Sequence, residues 1–318
     1  MNAIFDKINH HIPLDKDDAI ALLSIDNHSS AFYKLAAKAN ELSRCEYQNK
    51  AYVFAQIGLN ASHCSGNCKF CSLAKDNFLV GIEMQKSLDE ILTQVKQIAQ
   101  EQIAALFLMT TADYSFEQFI KIGTAVKNIL PKSILLVANI GDFDLHQAKI
   151  LKQAGFDAAY HIVRLREGID TDISVQTRLN TLDAIKDSGL DLYYCIEPIG
   201  KEHTYDEIAD EMLRAREYDV NVMAVMRRVG VTGTKFSKSE DITELELTKI
   251  AAVTRLVTRP KKSMNVHEPM NMPLLAGVNQ LYAEIGVNPR DNSISTEKGR
   301  GFDFYTVKKM LYEAEYTL

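Results

Sequence analysis

Long apolar runs are missing from this sequence. No stretch approaches the ~20 apolar residues a membrane span requires, and residues 1–18 carry no apolar core behind a basic start, so neither a spanning helix nor a signal peptide is expected. The expected location is the cytoplasm, with no membrane partner. Excess positive charge is missing too: 36 Lys and Arg stand against 42 Asp and Glu, a net charge of -6, so the chain lacks the basic surface that nucleic acid would need. Cysteines are few, 5 in 318 residues, and odd in number. That excludes a disulfide framework and leaves reduced thiols free to act as metal ligands. Short-period repeats, low-complexity stretches and long linkers are absent, while 46% hydrophobic and 25% charged residues are a globular composition. The length suits two ordinary domains or one α/β barrel with an extension.

What is present is an unbroken alternation of strand and helix. Two polar helices open it, at roughly 15–24 and 29–45, the second with Phe32, Leu35, Ala36 and Ala39 at helical spacing. Short apolar runs then occupy 52–59, 105–109, 134–140, 157–163, 190–196 and 220–226, with weaker ones near 262–266 and 280–285. Near-continuous apolar runs of this length read as parallel strands buried on both faces. Amphipathic segments such as SLDEILTQVKQIAQ and TYDEIADEMLRARE separate them, and a last helix falls near 305–314. Eight such units predict an α/β fold, a (β/α)8 TIM-type barrel over 49–318 preceded by a helical extension over 1–48. A doubly wound open sheet would carry a Gly-rich phosphate turn after its first strand, and the sequence has none.

In that turn's place stands NASHCSGNCKFCSLAKDN, with Cys64, Cys68 and Cys71 spaced C-x3-C-x2-C. Directly after a barrel's first strand, these thiols fall on the C-terminal face, where active sites sit. Thiolates suit zinc or iron-sulfur clusters, and three on one short loop can hold three corners of a cubane. The fourth iron is then open to a chelating amine and carboxylate, much as a catalytic zinc keeps one position for its reactant. Gly66 and Asn67 permit the tight turn. A structural zinc site would call for a second C-x2-C or C/H pair, which does not follow, and His63 is too near Cys64 in sequence to face the same metal. Cys45 and Cys195 have no partner at motif spacing. Cys195, inside an apolar strand, reads as a buried core thiol.

The cysteine segment resembles the signature of the radical S-adenosylmethionine (SAM) superfamily, including an aromatic residue, Phe70, just before the last Cys. The resemblance extends over roughly 50–285 and is nearest to the branch of biotin synthase, HydE-type maturase and methylornithine synthase. It implies a 4Fe-4S cluster on the three Cys, SAM on its fourth iron, and reductive cleavage to a 5'-deoxyadenosyl radical that abstracts hydrogen.

The same resemblance marks positions elsewhere in the barrel. The end of the second strand binds the methionyl amine in that branch. Here it reads MTTAD rather than the usual Gly-Gly-Glu, giving Thr110 and Thr111, with plain loop or capping hydroxyls as the alternative. After the fourth strand, HIVRLREGIDT places Glu167 where the branch has an acidic ligand for the SAM ribose. Arg178, in QTRLNTL, falls where an Arg meets the SAM carboxylate, for which a guanidinium fork is suited. The alternatives are an exposed helix charge for Arg178 and a salt-bridge network of Arg164 and Arg166 with Glu167. IEPIGKEHT resembles the adenine-flanking motif, with Ile199 and Gly200 in the matching places. Asn139, ending the third strand, either faces the barrel mouth or terminates the strand in the ordinary way.

From the residues themselves, Arg228 in MRRVGVTGT is a candidate receptor for an anionic substrate group. His267 and Glu268 in NVHEPMN, with Glu284 and Arg290 further on, are candidate acids, bases or substrate contacts, or else polar barrel ends.

Biotin synthase, by the same resemblance, holds a second, 2Fe-2S cluster on three further Cys and an Arg. The matching stretches LFLMTT and ILLVANIG contain no Cys, and Cys195 is displaced by two residues from the fifth-strand position. The expectation is therefore a single-cluster enzyme acting on a small, anionic molecule in cofactor or amino-acid biosynthesis, served by a reductant such as ferredoxin or flavodoxin. Its rivals are a subunit of a two-component sulfur-inserting synthase, a zinc-stabilised barrel without radical chemistry, and a barrel aldolase with incidental cysteines.

Overall fold

In the computed structural model, which describes residues 1–238, 241–283 and 301–318, eight parallel strands close into a barrel in chain order. They are β1 (Tyr52–Gly58), β2 (Ala105–Met109), β3 (Leu135–Asn139), β4 (Ala158–Tyr160), β5 (Asp191–Ile199), β6 (Val222–Arg227), β7 (Ser263–His267) and β8 (Gln280–Ala283), with β8 pairing back onto β1. Every expected strand is present. Glu284 and Arg290 lie outside the described residues.

The strands look apolar throughout because they serve two cores at once. Side chains alternate across a strand, so Val53, Ala55 and Ile57 of β1 join the core shared with the helices, while Phe54 points to the barrel axis. There Phe54, Phe107, Tyr193 and Tyr282 meet with ring centroids 5.3 to 5.9 Å apart. This aromatic layer plugs the barrel's lower half and confines open space to the mouth.

Three helices precede the barrel, α1 (Asn2–Asn9), α2 (Lys16–Leu23) and α3 (Ser30–Glu46). The sequence predicts two; α1 escapes because it buries only Ile4 and Phe5, too few for a periodic signal. The outer ring is α4 (Leu88–Ile98), α5 (Phe116–Ile129), α6 (Leu145–Gln153), α7 (Val175–Ser188), α8 (Tyr205–Glu217) and α9 (Glu244–Thr258), with α10 (Phe304–Glu313) after β8. Their starts are written locally. Ser87 with Glu90, Asp144 with Gln147 and Thr204 with Glu207 form reciprocal capping boxes, each satisfying two backbone donors that the first turn leaves open.

Between β7 and β8 stands only a 3-10 turn, Met272–Ala276, against which α3 packs. Ser43 Oγ donates to the Gly277 carbonyl at 2.6 Å. Gly277 has φ +92, and a Cβ there would lie 2.6 Å from the Ala39 carbonyl oxygen, so only glycine admits this approach. No helix among the described residues is long and apolar enough to cross a membrane.

Candidate active site at the barrel mouth

The cysteine loop leaves β1 and is fastened by its own backbone. Cys64 N–H donates to the Leu73 carbonyl at 2.9 Å, Asn67 N–H to Cys64 at 3.1 Å, and Cys71 N–H to Cys68 at 3.0 Å. Asn67 takes the left-handed conformation at φ +46, and its side-chain amide donates to Asp76 and Asp172, tying the loop to the segment after β4. A Cβ on Gly66 would press on Ile173 at 3.1 Å and approach Cys64 Sγ at 3.5 Å. The three thiols are partly exposed. As a free thiol Cys68 is pushed up to about 12 by burial, with the nearby Arg164 charge opposing; a bound metal removes that penalty by taking the thiolate as ligand.

Beneath the loop lies a cavity of about 410 Å³ whose wall includes all three cysteines and Phe70. Strand alternation supplies the rest. Residues in phase with the aromatic plug face upward into it: Gln56, Asn139, Tyr160, Glu197, Asn265 and His267. Asn139 thus faces the mouth. Thr110 also lines the cavity, and its Oγ1 is buried without a hydrogen-bond partner. Thr111 lines it as well, with its hydroxyl accepting from Asn60 Nδ2 at 2.8 Å. A Cβ on Gly141 would sit 2.2 Å from the Ala112 carbonyl oxygen, so glycine lets the loops after β2 and β3 touch at the rim.

Arg178 is buried, 5% exposed, and lines the cavity, which excludes the exposed-charge alternative. Its Nε donates to Glu167 Oε2 at 3.2 Å and its Nη1 to Asp142 Oδ2 at 3.1 Å, and neither contact uses Nη2. Burial alone would raise the Asp142 carboxyl, but His161 and the Arg178 charge outweigh it and hold it down at about 2. Glu167 is not part of the cavity wall. Its carboxylate accepts from Thr171 Oγ1 at 2.5 Å as well as from Arg178, so it holds Arg178 in place. Ile199, 1% exposed, is also absent from the wall; the register between β5 and β6 shifts between Ile196 and Ile199 and carries it into the outer core.

Arg228 lines the cavity with 2% exposure. Its fork is already occupied: Nη1 and Nη2 both donate to the carboxylate of Glu202, and Phe236 lies 4.6 Å from the guanidinium carbon. What stays open is Nε, buried without a partner. Gly200 makes room for this pair, since a Cβ there would lie 2.4 Å from Arg228 Nη1. His267 and Glu268 both line the cavity, His267 edge-on to Tyr282 with centroids 5.3 Å apart. Cys195 also faces the cavity. It is buried in the core as expected, and by sharing the inward phase of Tyr193 and Glu197 it also reaches the cavity wall.

No family model matches the chain. Among curated proteins, the biotin synthase of Clostridioides difficile (strain 630) is 25% identical over 261 residues, covering 79% of each chain. The biotin synthase of Rhizobium rhizogenes (strain K84 / ATCC BAA-868) is 25% identical over 285 residues, 84% of this chain and 85% of its own. Among solved structures, methylornithine synthase superposes with a TM-score of 0.83 at 18% identity, over 99% of this chain and 96% of its own. The chain is similar to radical SAM enzymes of the biotin synthase and maturase-like branch. The FeFe-hydrogenase maturase HydG from Carboxydothermus hydrogenoformans shares the fold, with a TM-score of 0.80 at 17% identity over 99% of this chain and 78% of its own.

That likeness implies a 4Fe-4S cluster and SAM, and the residues fit both. All three thiols line one cavity, and Cys68 feels the charges of Cys71 and Cys64; a cubane takes one thiolate at each of three irons. The cavity adjoining the cysteines offers an unpartnered hydroxyl on Thr110 and a buried guanidinium on Arg178, donors suited to an amino-acid head group.

Proposed function

We propose that the chain binds one 4Fe-4S cluster through Cys64, Cys68 and Cys71, cleaves SAM reductively there, and acts on a small, anionic molecule in cofactor or amino-acid biosynthesis. When bound, cluster and SAM supply a carbon radical able to take hydrogen from an unactivated C–H bond. The chain's own residues bind and orient. Arg178, clamped by Glu167 and Asp142, presents Nη2 to the SAM carboxylate. Thr110 Oγ1 meets the amine, with Thr111 and Asn60 fixing that loop, and Phe70 and Asn139 border the nucleoside. Arg228 Nε takes the substrate's anionic group, and His267 and Glu268 contact the substrate opposite. The aromatic plug below and the cysteine loop above exclude water, which a reactive radical demands. A low-potential one-electron protein such as a ferredoxin or flavodoxin supplies the electron.

The observation that carries this reading is the cysteine loop closing over a cavity of about 410 Å³ whose wall holds those thiols together with Arg178 and Thr110. Anaerobic reconstitution followed by dithionite and SAM tests it. We expect 5'-deoxyadenosine, and the loss of both cluster absorbance and cleavage in Cys68→Ala; zinc alone in the reconstituted protein, or cleavage that survives Cys68→Ala, would overturn it. The biotin synthase relatives favour a second reading, sulfur insertion with a partner subunit. The chain offers it little, because beyond the loop its thiols are Cys45, exposed on α3, and Cys195.

A further inference from the structure

Cys195 has no role in the chemistry set out above, yet it is 2% exposed and faces the cavity. The barrel register aligns it with Ala224 on β6, and Ala224 with Asn265 on β7. A small side chain thus separates a thiol from an amide in one layer of the barrel, and all three line the cavity. Asn265 is fully buried; its Nδ2 donates to the Gln280 carbonyl at 2.9 Å, and its Oδ1 has no partner. A buried acceptor left open is costly, so this layer is built to receive a hydrogen-bond donor from a bound molecule. A molecule that fills this layer would lie beside the Cys195 thiol.

We infer that Cys195 is the hydrogen-atom donor that ends the reaction, quenching the carbon radical left on the substrate. The inference rests on the radical reading above. In the step, the S–H bond of Cys195 breaks and a C–H bond forms on the substrate carbon; carbon is reduced and sulfur is oxidised to a thiyl radical. One electron from the low-potential protein that reduces the cluster, with one proton, restores the thiol.

The surroundings suit that role. Burial holds the Cys195 thiol well above its ordinary value, with the Glu197 charge adding to it, so the sulfur keeps the hydrogen it must give. Tyr160 OH donates to Glu197 Oε2 at 3.0 Å, and both interact with Cys195, forming a proton route. Arg164 continues the line: its Nε is 3.6 Å from Glu197 Oε1, and its charge is felt by Cys68.

The test needs no substrate. Reconstituted protein is given SAM and dithionite in D2O, and the 5'-deoxyadenosine formed is weighed by mass spectrometry, since a thiol exchanges its hydrogen for deuterium and carbon-bound hydrogens do not. We expect a monodeuterated fraction several-fold higher in the wild type and in a Cys45→Ser control than in Cys195→Ser or Cys195→Ala, at equal iron content. The serine O–H bond is too strong to yield its hydrogen to carbon. Unchanged deuterium in both Cys195 variants overturns the inference, as does label lost in Tyr160→Phe but kept in Cys195→Ser. Iron that falls in the Cys195 variants overturns it differently, by making Cys195 a cluster ligand. No 5'-deoxyadenosine from any of these proteins overturns the radical reading itself, and this inference with it.

Discussion

Arg178 shows how much of this site rests on one side chain and its partners. Two carboxylates, Glu167 and Asp142, occupy two of its nitrogens, and His161 Nε2 stands 3.1 Å from Asp142 Oδ1. A lysine keeps the charge but lacks the planar fork whose separate nitrogens reach both carboxylates. Losing charge-assisted hydrogen bonds of ~1.5–3 kcal/mol corresponds to a dissociation constant for SAM raised about tenfold to hundredfold in Arg178→Lys. Anaerobic equilibrium dialysis would measure it, with cluster absorbance unchanged; tight binding in the variant would remove Arg178 from the SAM site. The sequence marks Arg178 and Glu167 as neighbours in function but does not show that one serves the other. Asp142, a positioning residue 36 positions away, carries no motif at all.

Among elements, the helix–barrel contacts are specified by small residues. Gly123 lies on the inner face of α5, where a Cβ would fall 2.3 Å from Cε2 of Phe156. That ring is stacked on Phe119 at 5.1 Å and 2% exposed, so it has no room to retreat. Alanine would gain about 1 kcal/mol of helix propensity, but overpacking costs about 1–3 kcal/mol. We expect Gly123→Ala to be destabilised on balance, seen as a lower urea midpoint; a raised midpoint would mean that the ring yields. The strands teach a different lesson. In YVFAQIG the polar Gln56 is in phase with Phe54, and in LYYCIEP Cys195 and Glu197 are in phase with Tyr193. The alternation was legible, but apolar residues on both faces hid it.

For the whole molecule, the N-terminal helices are part of the barrel's wall. Residues of α1, α2 and α3 share one continuous core with the strands, and α3 is bolted to α9 by Arg255, which is fully buried, donating to Ser43 Oγ at 2.7 Å and to Glu46 at 2.5 Å. Glu46 is itself exposed, but removing its charge leaves the buried Arg255 guanidinium without its counter-charge. Glu46→Gln should therefore lose about 1–2 kcal/mol of stability, with SAM cleavage by the folded protein unchanged. The chain contains no Trp, so far-UV circular dichroism in urea is the suitable measurement; an unshifted midpoint would show that Ser43 suffices for Arg255.

By itself the sequence determined the eight strands, the capped helices and the cysteine loop, because strand burial, capping boxes and ligand spacing are written within a few residues of one another. It did not determine which polar groups share the cavity. That depends on the register between neighbouring strands, which aligns Cys195 with Ala224 and Ala224 with Asn265, and on side chains meeting across long separations, as Arg228 meets Glu202 and Arg178 meets Asp142. Only barrel closure brings these together. It turned Cys195 from a residue of an apolar strand into a thiol on the cavity wall.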